Sequence, residues 1–489
     1  MHDELMDADL NDLEILKEFT LESKLLMCQQ LSCRIMTASG VDIRKAYEEN
    51  IMPWELETFT AYSILFDDAS ANKTLDVETF SRCITLIRNY WPNKLSEAEK
   101  DGVYPETFIM ISALQQYPVQ GVYLQKLFRS HYFFTFTNEN LDMKKIFNQK
   151  MGVEYERLEL FAFVLFFSMC GDLSGEVPNE VRCKWVGNLL KDSEVCTLLS
   201  INIDDYKKQL EDLNGKSVED QFYGLKTQYI YPLIEKENII YIPSPYLVIN
   251  AVTESMLNRI TFGDEQLRRE FGKEVIESYL YDIASQVKTV SWISKEIVYN
   301  VGHQEIRSPD VLVGEGEKMT FYDTKAVFPS LRLRSLDRTE IENDIARYAK
   351  NVIQLYKQIV NYLAGKFELD KHYEKKDIFG VVVVLEDAVV SRKKVYDKVF
   401  LELERTAHLD DEEKRYIHSH IKVLPLREVE TFMLQNMSPL PFLVEQVENE
   451  NQWDNYRYGC PQKGNGLIAE YESYVKKLKS MLIARIRTV

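Results

Sequence analysis

The sequence predicts an α+β protein: an all-helical N-terminal domain followed by an α/β core with a mixed sheet. Three observations lead there. Apolar residues recur at helical spacing through the first half of the chain. The run "IFGVVVVLEDA" (residues 378–388) is rich in β-branched residues and has no polar alternation until Glu386, as a strand covered on both faces requires. From Glu265 onward the elements follow the order αβββαβαβ, which indicates a mixed sheet with helices on its faces.

The helical half begins with "LNDLEILKEFTLESKLLMCQQLSCRIM" (10–36), apolar at helical spacing over several turns. In "LDVETFSRCITLIRNYW" (75–91), Asp76 marks a start and the following Pro92 a stop. "VEYERLELFAFVLFFSMCGDLSG" (153–175) reads as a buried helix closed by Gly171, and "VRCKWVGNLLKDSEVCTLL" (181–199) continues the pattern. No repeat or low-complexity tract interrupts it. Near Gln221 the texture changes: two short β-rich runs flank the turn "EKEN" (235–238), and a helix follows from about Leu247. These readings give a helical domain over 1–220 and a β-containing connector over 221–264.

The core, 265–430, opens with a helix, "EQLRREFGKEVIESYLYDIASQV" (265–287). A strand "KEIVYNVG" (295–302) precedes a hairpin with strands near Asp310–Val313 and Met319–Val327. A long helix over 339–367 leads to the apolar strand at 378, then a helix around 392–409 and a last strand, "HIKVLPL" (420–426). A helical extension, 431–489, ends in the basic amphipathic "YVKKLKSMLIARIRTV".

With 489 residues the chain is too long for one ordinary core, and 45% apolar residues with 12% aromatics mark it as folded. The N-terminus is acidic where a secretory signal would be basic and then apolar, and the longest apolar stretch, Leu160–Cys170, is about half a membrane span. Seven scattered cysteines without a C-x-x-C pair read as reduced thiols. The expectation is a soluble, cytoplasmic protein without a membrane partner. His418 and His420, two apart in "YIHSHI" with His408 upstream, suit alternating faces of a strand rather than a metal site. The net charge of −18 argues against a general coat for nucleic acid. It is uneven, however: residues 1–250 carry a balance of −15 and residues 251–489 only −3, so the second half can present a local basic surface to phosphate.

The stretch "RSPDVLVGEGEKMTFYDTKAVF" (307–328) carries the chemistry. Asp310 follows Pro309 at the start of one strand; Asp323 and Lys325 stand two apart on the next, so both leave the same face, while Thr324 points the other way. Carboxylates inside apolar runs are costly unless they have a task. The spacing allows Asp310 and Asp323 to share a cation, with Lys325 beside an attacking water or a phosphate. A solvated Asp–Lys pair on a strand face is the plain alternative.

Pro309-Asp310, twelve intervening residues, then Asp323-Thr324-Lys325, together with the element order, resembles the PD-(D/E)XK nuclease superfamily over roughly residues 265–430. The resemblance implies a restriction endonuclease-like αβββαβ core and a magnesium- or manganese-dependent phosphodiesterase. It makes Asp310 and Asp323 metal ligands and Lys325 the group that orients water or stabilises the transition state. Many relatives add a glutamate on the first core helix. The pattern Gly272-x-x-x-Ile276-Glu277 favours Glu277, and Glu274 is the alternative. A Q-x-x-x-Y element in some relatives matches Gln358 and Tyr362, with Gln354 one turn before on the same helix face; such a glutamine could hold a water or a phosphate near the metal. Arg332, Arg334 and Arg338 in "FPSLRLRSLDR" suit contact with backbone phosphates.

The expected substrate is nucleic acid, DNA ahead of RNA, and the family association is with bacterial defence against foreign DNA. Such nucleases often act as homodimers, and the helical N-terminal domain is open to a protein partner. A nuclease of RNA, or a non-catalytic nucleic-acid-binding or scaffold protein, are the alternatives the residues leave open.

Overall fold

The computed structural model describes residues 10–100, 122–170, 178–214, 227–327, 338–369, 371–386, 391–405, 409–448 and 464–487. The chain divides into two units. The first comprises Met1–Thr135, Met143–Phe262 and Leu478–Val489; the second comprises Phe136–Asp142 and Gly263–Lys477. The sequence boundaries differ from this in three respects: the connector belongs to the first unit, a seven-residue segment of the N-terminal half belongs to the second, and the expected C-terminal extension 431–489 is divided between them at Lys477/Leu478.

The first unit is mainly helical, and the described helices include Leu21–Arg34, Pro53–Leu65, Val77–Lys100, Tyr123–Thr135 and Tyr155–Met169. It is not all-helical. Met36–Thr37 pairs with Gly40–Val41, and Ser200–Asn202 joins the predicted connector hairpin as a third strand, parallel to Leu233–Lys236. Glu237 and Asn238 take positive φ in that hairpin's turn. Pro92 does not stop its helix; its missing N–H costs one hydrogen bond, and the turns continue to Lys100.

In the second unit a helix α1 (Glu265–Glu270) runs through a π-helical turn (Phe271–Ile276) into α2 (Glu277–Ser285). Strands β1 (Trp292–Lys295), β2 (Val298–Val301), β3 (Gln304–Arg307), β4 (Val311–Glu315) and β5 (Lys318–Lys325) follow, then α3 (Arg338–Leu363) and β6 (Ile378–Val384). Helices α4 (Arg392–Glu404) and α5 (Asp411–His420) lead to β7 (Ile421–Pro425).

Five strands make one mixed sheet in the order β7-β6-β5-β4-β1. β4 is antiparallel to β1 and to β5, whereas β5, β6 and β7 are parallel. Parallel neighbours need crossovers, and α3 supplies one while α4 and α5 supply the other. All seven residues of β6 are buried, as its unbroken apolar run requires.

Two expectations change here. "KEIVYNVG" is not the sheet's first strand. That place falls to Trp292–Lys295, and Val298–Val301 turns back on Gln304–Arg307 as a separate hairpin around Gly302, whose φ is 65°. His418 and His420 stand at the end of helix α5, not on a strand. Asp410 caps that helix by accepting from the Glu413 amide at 2.8 Å, so a charged stretch before the strand becomes helix. His420 is a core residue stacked on Phe379 and Tyr416, and burial pushes its pKa down to about 4.

The sheet edge is fitted closely. A Cβ at Gly314 of β4 would lie 1.9 Å from Trp292 Nε1, which donates to the Tyr373 hydroxyl at 2.6 Å. Gly314→Ala should therefore displace the indole, break this bond and cost about 1–3 kcal/mol. Urea denaturation followed by tryptophan fluorescence checks it; an unchanged midpoint would show that the indole has room to move.

Candidate phosphodiesterase site

The candidate site lies where β4 begins and β5 ends. Val311 faces Tyr322 across the antiparallel pair, so Asp310, just before β4, comes beside the end of β5 that carries Asp323, Thr324 and Lys325. Asp323 is 1% exposed. Phe321, two residues earlier on the same face, packs against Tyr362 of α3 with ring centroids 5.8 Å apart. Strand periodicity therefore turns Asp323 and Lys325 to the side that α3 covers.

Lys325 Nζ lies 2.6 Å from Asp323 Oδ2. Coulombic attraction is the larger part of this pairing and a side-chain hydrogen bond the smaller. Charge, more than a directed bond, holds the pair. Asp310 is fixed differently: its Oδ2 accepts from the Thr324 amide at 2.6 Å and from the Thr324 hydroxyl at 2.8 Å. Thr324 is thus a partner of the site, where alternation alone had it pointing away. The β4 pairing ends at Val311, so no β4 residue pairs with Thr324 and the Asp310 side chain takes its amide.

Glu277 enters from the helix. Its amide donates to the Gly272 carbonyl, five residues back, in the π turn. A Cβ at Gly272 would stand 3.1 Å from Ala326 Cβ, so the glycine lets this turn approach the end of β5. Glu274 faces elsewhere and accepts from the side-chain amides of Asn138 and Asn140 at 2.8 and 3.2 Å.

The electrostatics join these groups. Burial, then Asp310 and Glu296, push Glu277 up to about 9 against Lys325 and Lys273. Burial, then Asp310, push Asp323 up to about 6 against Lys325. Burial raises Asp310 as well, opposed by Lys325 and the Thr324 bonds. For Lys325, burial works downward, but Asp323, Asp310 and Glu277 outweigh it and hold the ammonium protonated. Three carboxyl groups thus bear on the Lys325 ammonium, and like-charge repulsion among them favours their protonated forms. Hard oxygen donors of this kind are the type that magnesium and manganese prefer. Among the described residues no group of three or more His, Cys, Asp or Glu side chains is placed to hold a metal ion, Asp310, Asp323 and Glu277 included.

Gln358 is buried, and its amide donates to the Arg307 carbonyl at 3.0 Å, three residues before Asp310. It steadies the segment that carries Asp310 rather than facing the carboxylates. Gln354 is exposed, so it does not share the buried face of Gln358. Tyr362 is in the core and accepts from the Tyr373 amide at 3.0 Å. Arg332 and Arg334 lie outside the described residues, and Arg338 opens α3.

Two residues that the sequence did not single out complete the surroundings. Glu296 bears on both Glu277 and Asp323 while paired with Arg307 at 2.7 Å. Ser308, 1% exposed, ties down the segment before Asp310: its hydroxyl accepts from the Ile297 amide at 2.8 Å, and its own amide donates to the Ile297 carbonyl at 2.9 Å. The only signal for Ser308 was its place before Pro309-Asp310; Glu296 had none. Comparison with protein families, curated proteins and solved structures finds no match for the chain.

The raised carboxylates fix a pH dependence. The folded chain holds these protons more tightly than the unfolded chain, so their stabilisation is full below about pH 4 and is lost as pH rises. The loss passes through about 6 for Asp323 and about 9 for Glu277. In chelator, Glu277→Gln should melt higher than wild type at about pH 9 and at the same temperature at about pH 4. Parallel melting curves across that range would contradict the assigned surroundings of Glu277.

Proposed function

We propose that the chain is a metal-dependent phosphodiesterase with a restriction endonuclease-like core, hydrolysing nucleic acid, DNA ahead of RNA, by attack of water on phosphorus. One observation carries the reading: Lys325 pairs with buried Asp323 at 2.6 Å at the end of β5, and Asp310 and helix-borne Glu277 lie near enough for their charges to act on it. In sheets with parallel strands this end is where ligands bind. A solvated surface pair would leave the carboxylates near their ordinary pKa values; these are raised together.

Asp310, Asp323 and Glu277 would be the residues to hold a divalent cation, which would supply Lewis-acid stabilisation of charge developing on the phosphate. Lys325 stays protonated and places its ammonium where it can orient water and stabilise that same charge. The two donors of Thr324 fix the rotamer of Asp310. Gln358 and Ser308 hold the chain that leads into it. Burial strengthens each of these interactions by lowering the local dielectric. Arg332, Arg334 and Arg338 are the proposed phosphate contacts, and defence against foreign DNA in the cytoplasm is the setting the family association offers.

The test is incubation of the purified chain with DNA and with RNA, in magnesium, manganese and chelator. Wild type should cut one of them in a metal-dependent way, and Asp310→Ala and Lys325→Ala should each lose at least ~100-fold in kcat. Cleavage by wild type and variants at equal rates points to a contaminant. Binding without cleavage under either metal favours a non-catalytic nucleic-acid-binding protein.

A further inference from the structure

We propose that the loop Phe136–Asp142 is a clamp on the Glu277 helix: Asn138 and Asn140 hold Glu274, and this keeps Glu277 facing Asp310 and Lys325. The proposal rests on the phosphodiesterase reading and names positioning residues for that site.

The loop connects two helices of the first unit, Tyr123–Thr135 and Met143–Met151, yet it belongs to the second. Each Glu274 oxygen receives one amide, Oε2 from Asn138 Nδ2 at 2.8 Å and Oε1 from Asn140 Nδ2 at 3.2 Å. The loop is shaped in advance. Thr137 and Asp142 form a bridge, and the Asn138 amide donates to the Leu141 carbonyl at 3.0 Å. Asn138 Oδ1 accepts from the amides of Asn140 and Leu141 at 2.9 and 2.7 Å. The two ends of the Asn138 side chain therefore have separate tasks. The oxygen closes the loop, and the NH2 group grips Glu274.

The grip matters because Glu274 lies in the π turn, Phe271–Ile276, that Glu277 closes. A regular α-helix is the competing arrangement for such a turn, and π turns are rare and short. Relaxing to it would turn the residues that follow by about one residue's rotation, ~100°. Glu277 would then leave Asp310. Glu274 lies inside the wide turn, so holding its carboxylate from outside the helix fixes the turn in place. The loop is already closed by its own bonds and does not need Glu274 to keep its shape.

Asn138→Asp separates the two tasks. The new side chain still accepts from both loop amides but puts a carboxylate against Glu274. Relative to wild type we expect kcat on the cleaved nucleic acid to fall about tenfold with little change in KM, as for other groups that position a ligand from behind. Amide hydrogen exchange should quicken across residues 271–285. Adding Glu274→Gln, whose side-chain amide can donate to the introduced carboxylate, should recover most of both effects, whereas in a Glu277→Gln background Asn138→Asp should cost nothing more. Asn140→Ala, which removes one donor and spares the turn, should give the same pattern in weaker form and serves if Asn138→Asp does not fold.

Unchanged exchange in both variants overturns the clamp. Faster exchange with unchanged kcat, or an equal loss in the Glu277→Gln background, overturns its positioning role. If wild type cuts no nucleic acid with magnesium or manganese, the phosphodiesterase reading fails, and with it any role in positioning; exchange still decides whether the loop holds the helix.

Discussion

At the end of β5 the ammonium of Lys325 faces buried Asp323 and two half-buried carboxyl groups, those of Asp310 and Glu277. Much of the second unit is arranged around that imbalance. The β4–β5 pairing sets Asp310 beside Asp323. Gly272 brings the helix close enough for Glu277 to feel Asp310. The β2–β3 hairpin and Ser308 deliver the chain to Pro309 at the required point. Taking an unpaired carboxylate out of water is expensive, and one lysine cannot compensate three of them. The fully buried β6 beside β5 gives the framework that holds these groups in place despite the cost.

That arrangement differs from a structural ion pair. Elsewhere in the chain, buried charges are matched more evenly: Arg88 meets Glu55 through two nitrogens at 2.6 and 2.9 Å and satisfies Asn50 as well. Glu57 accepts from two tyrosine hydroxyls, those of Tyr229 and Tyr246. At β5 burial and neighbouring carboxylates together raise the pKa values of several acidic groups, as burial and Glu340 do for the single Asp344. Proteins tolerate such local instability mainly where it serves chemistry.

The sequence revealed the parts of this that depend on short-range geometry. The two-residue period of a strand put Asp323 and Lys325 on one face, and the apolar run at 378–384 could only be a covered strand. Glu277 rather than Glu274 turned toward the carboxylates because the π turn spreads the two, although only the glycine at 272 hinted at it. What depended on competing local choices was misread. "KEIVYNVG" has good strand composition, but its place in the sheet was decided by Gly302, which turns it into a side hairpin. The histidines of "YIHSHI" were drawn into a helix by the acidic cap and first turn before them. Thr324 was assigned by alternation alone, which fails where a strand ends. The partnership of Asn138 with Glu274 left no trace in the sequence, because it joins residues 136 apart and exists only in the folded chain.

That separation also orders events during synthesis. Asn138 and Asn140 leave the ribosome 136 and 134 residues before Glu274. At ordinary elongation rates the loop is made roughly 7–27 s ahead of the glutamate it will hold. The flanking helices of the first unit can settle in that interval, so the loop is presented on structure already formed. The second unit therefore includes a segment from the N-terminal half of the chain. A fragment starting at Gly263 would contain every carboxylate of the site and lack the segment that fixes one of them, and joining that fragment to another protein would not restore it.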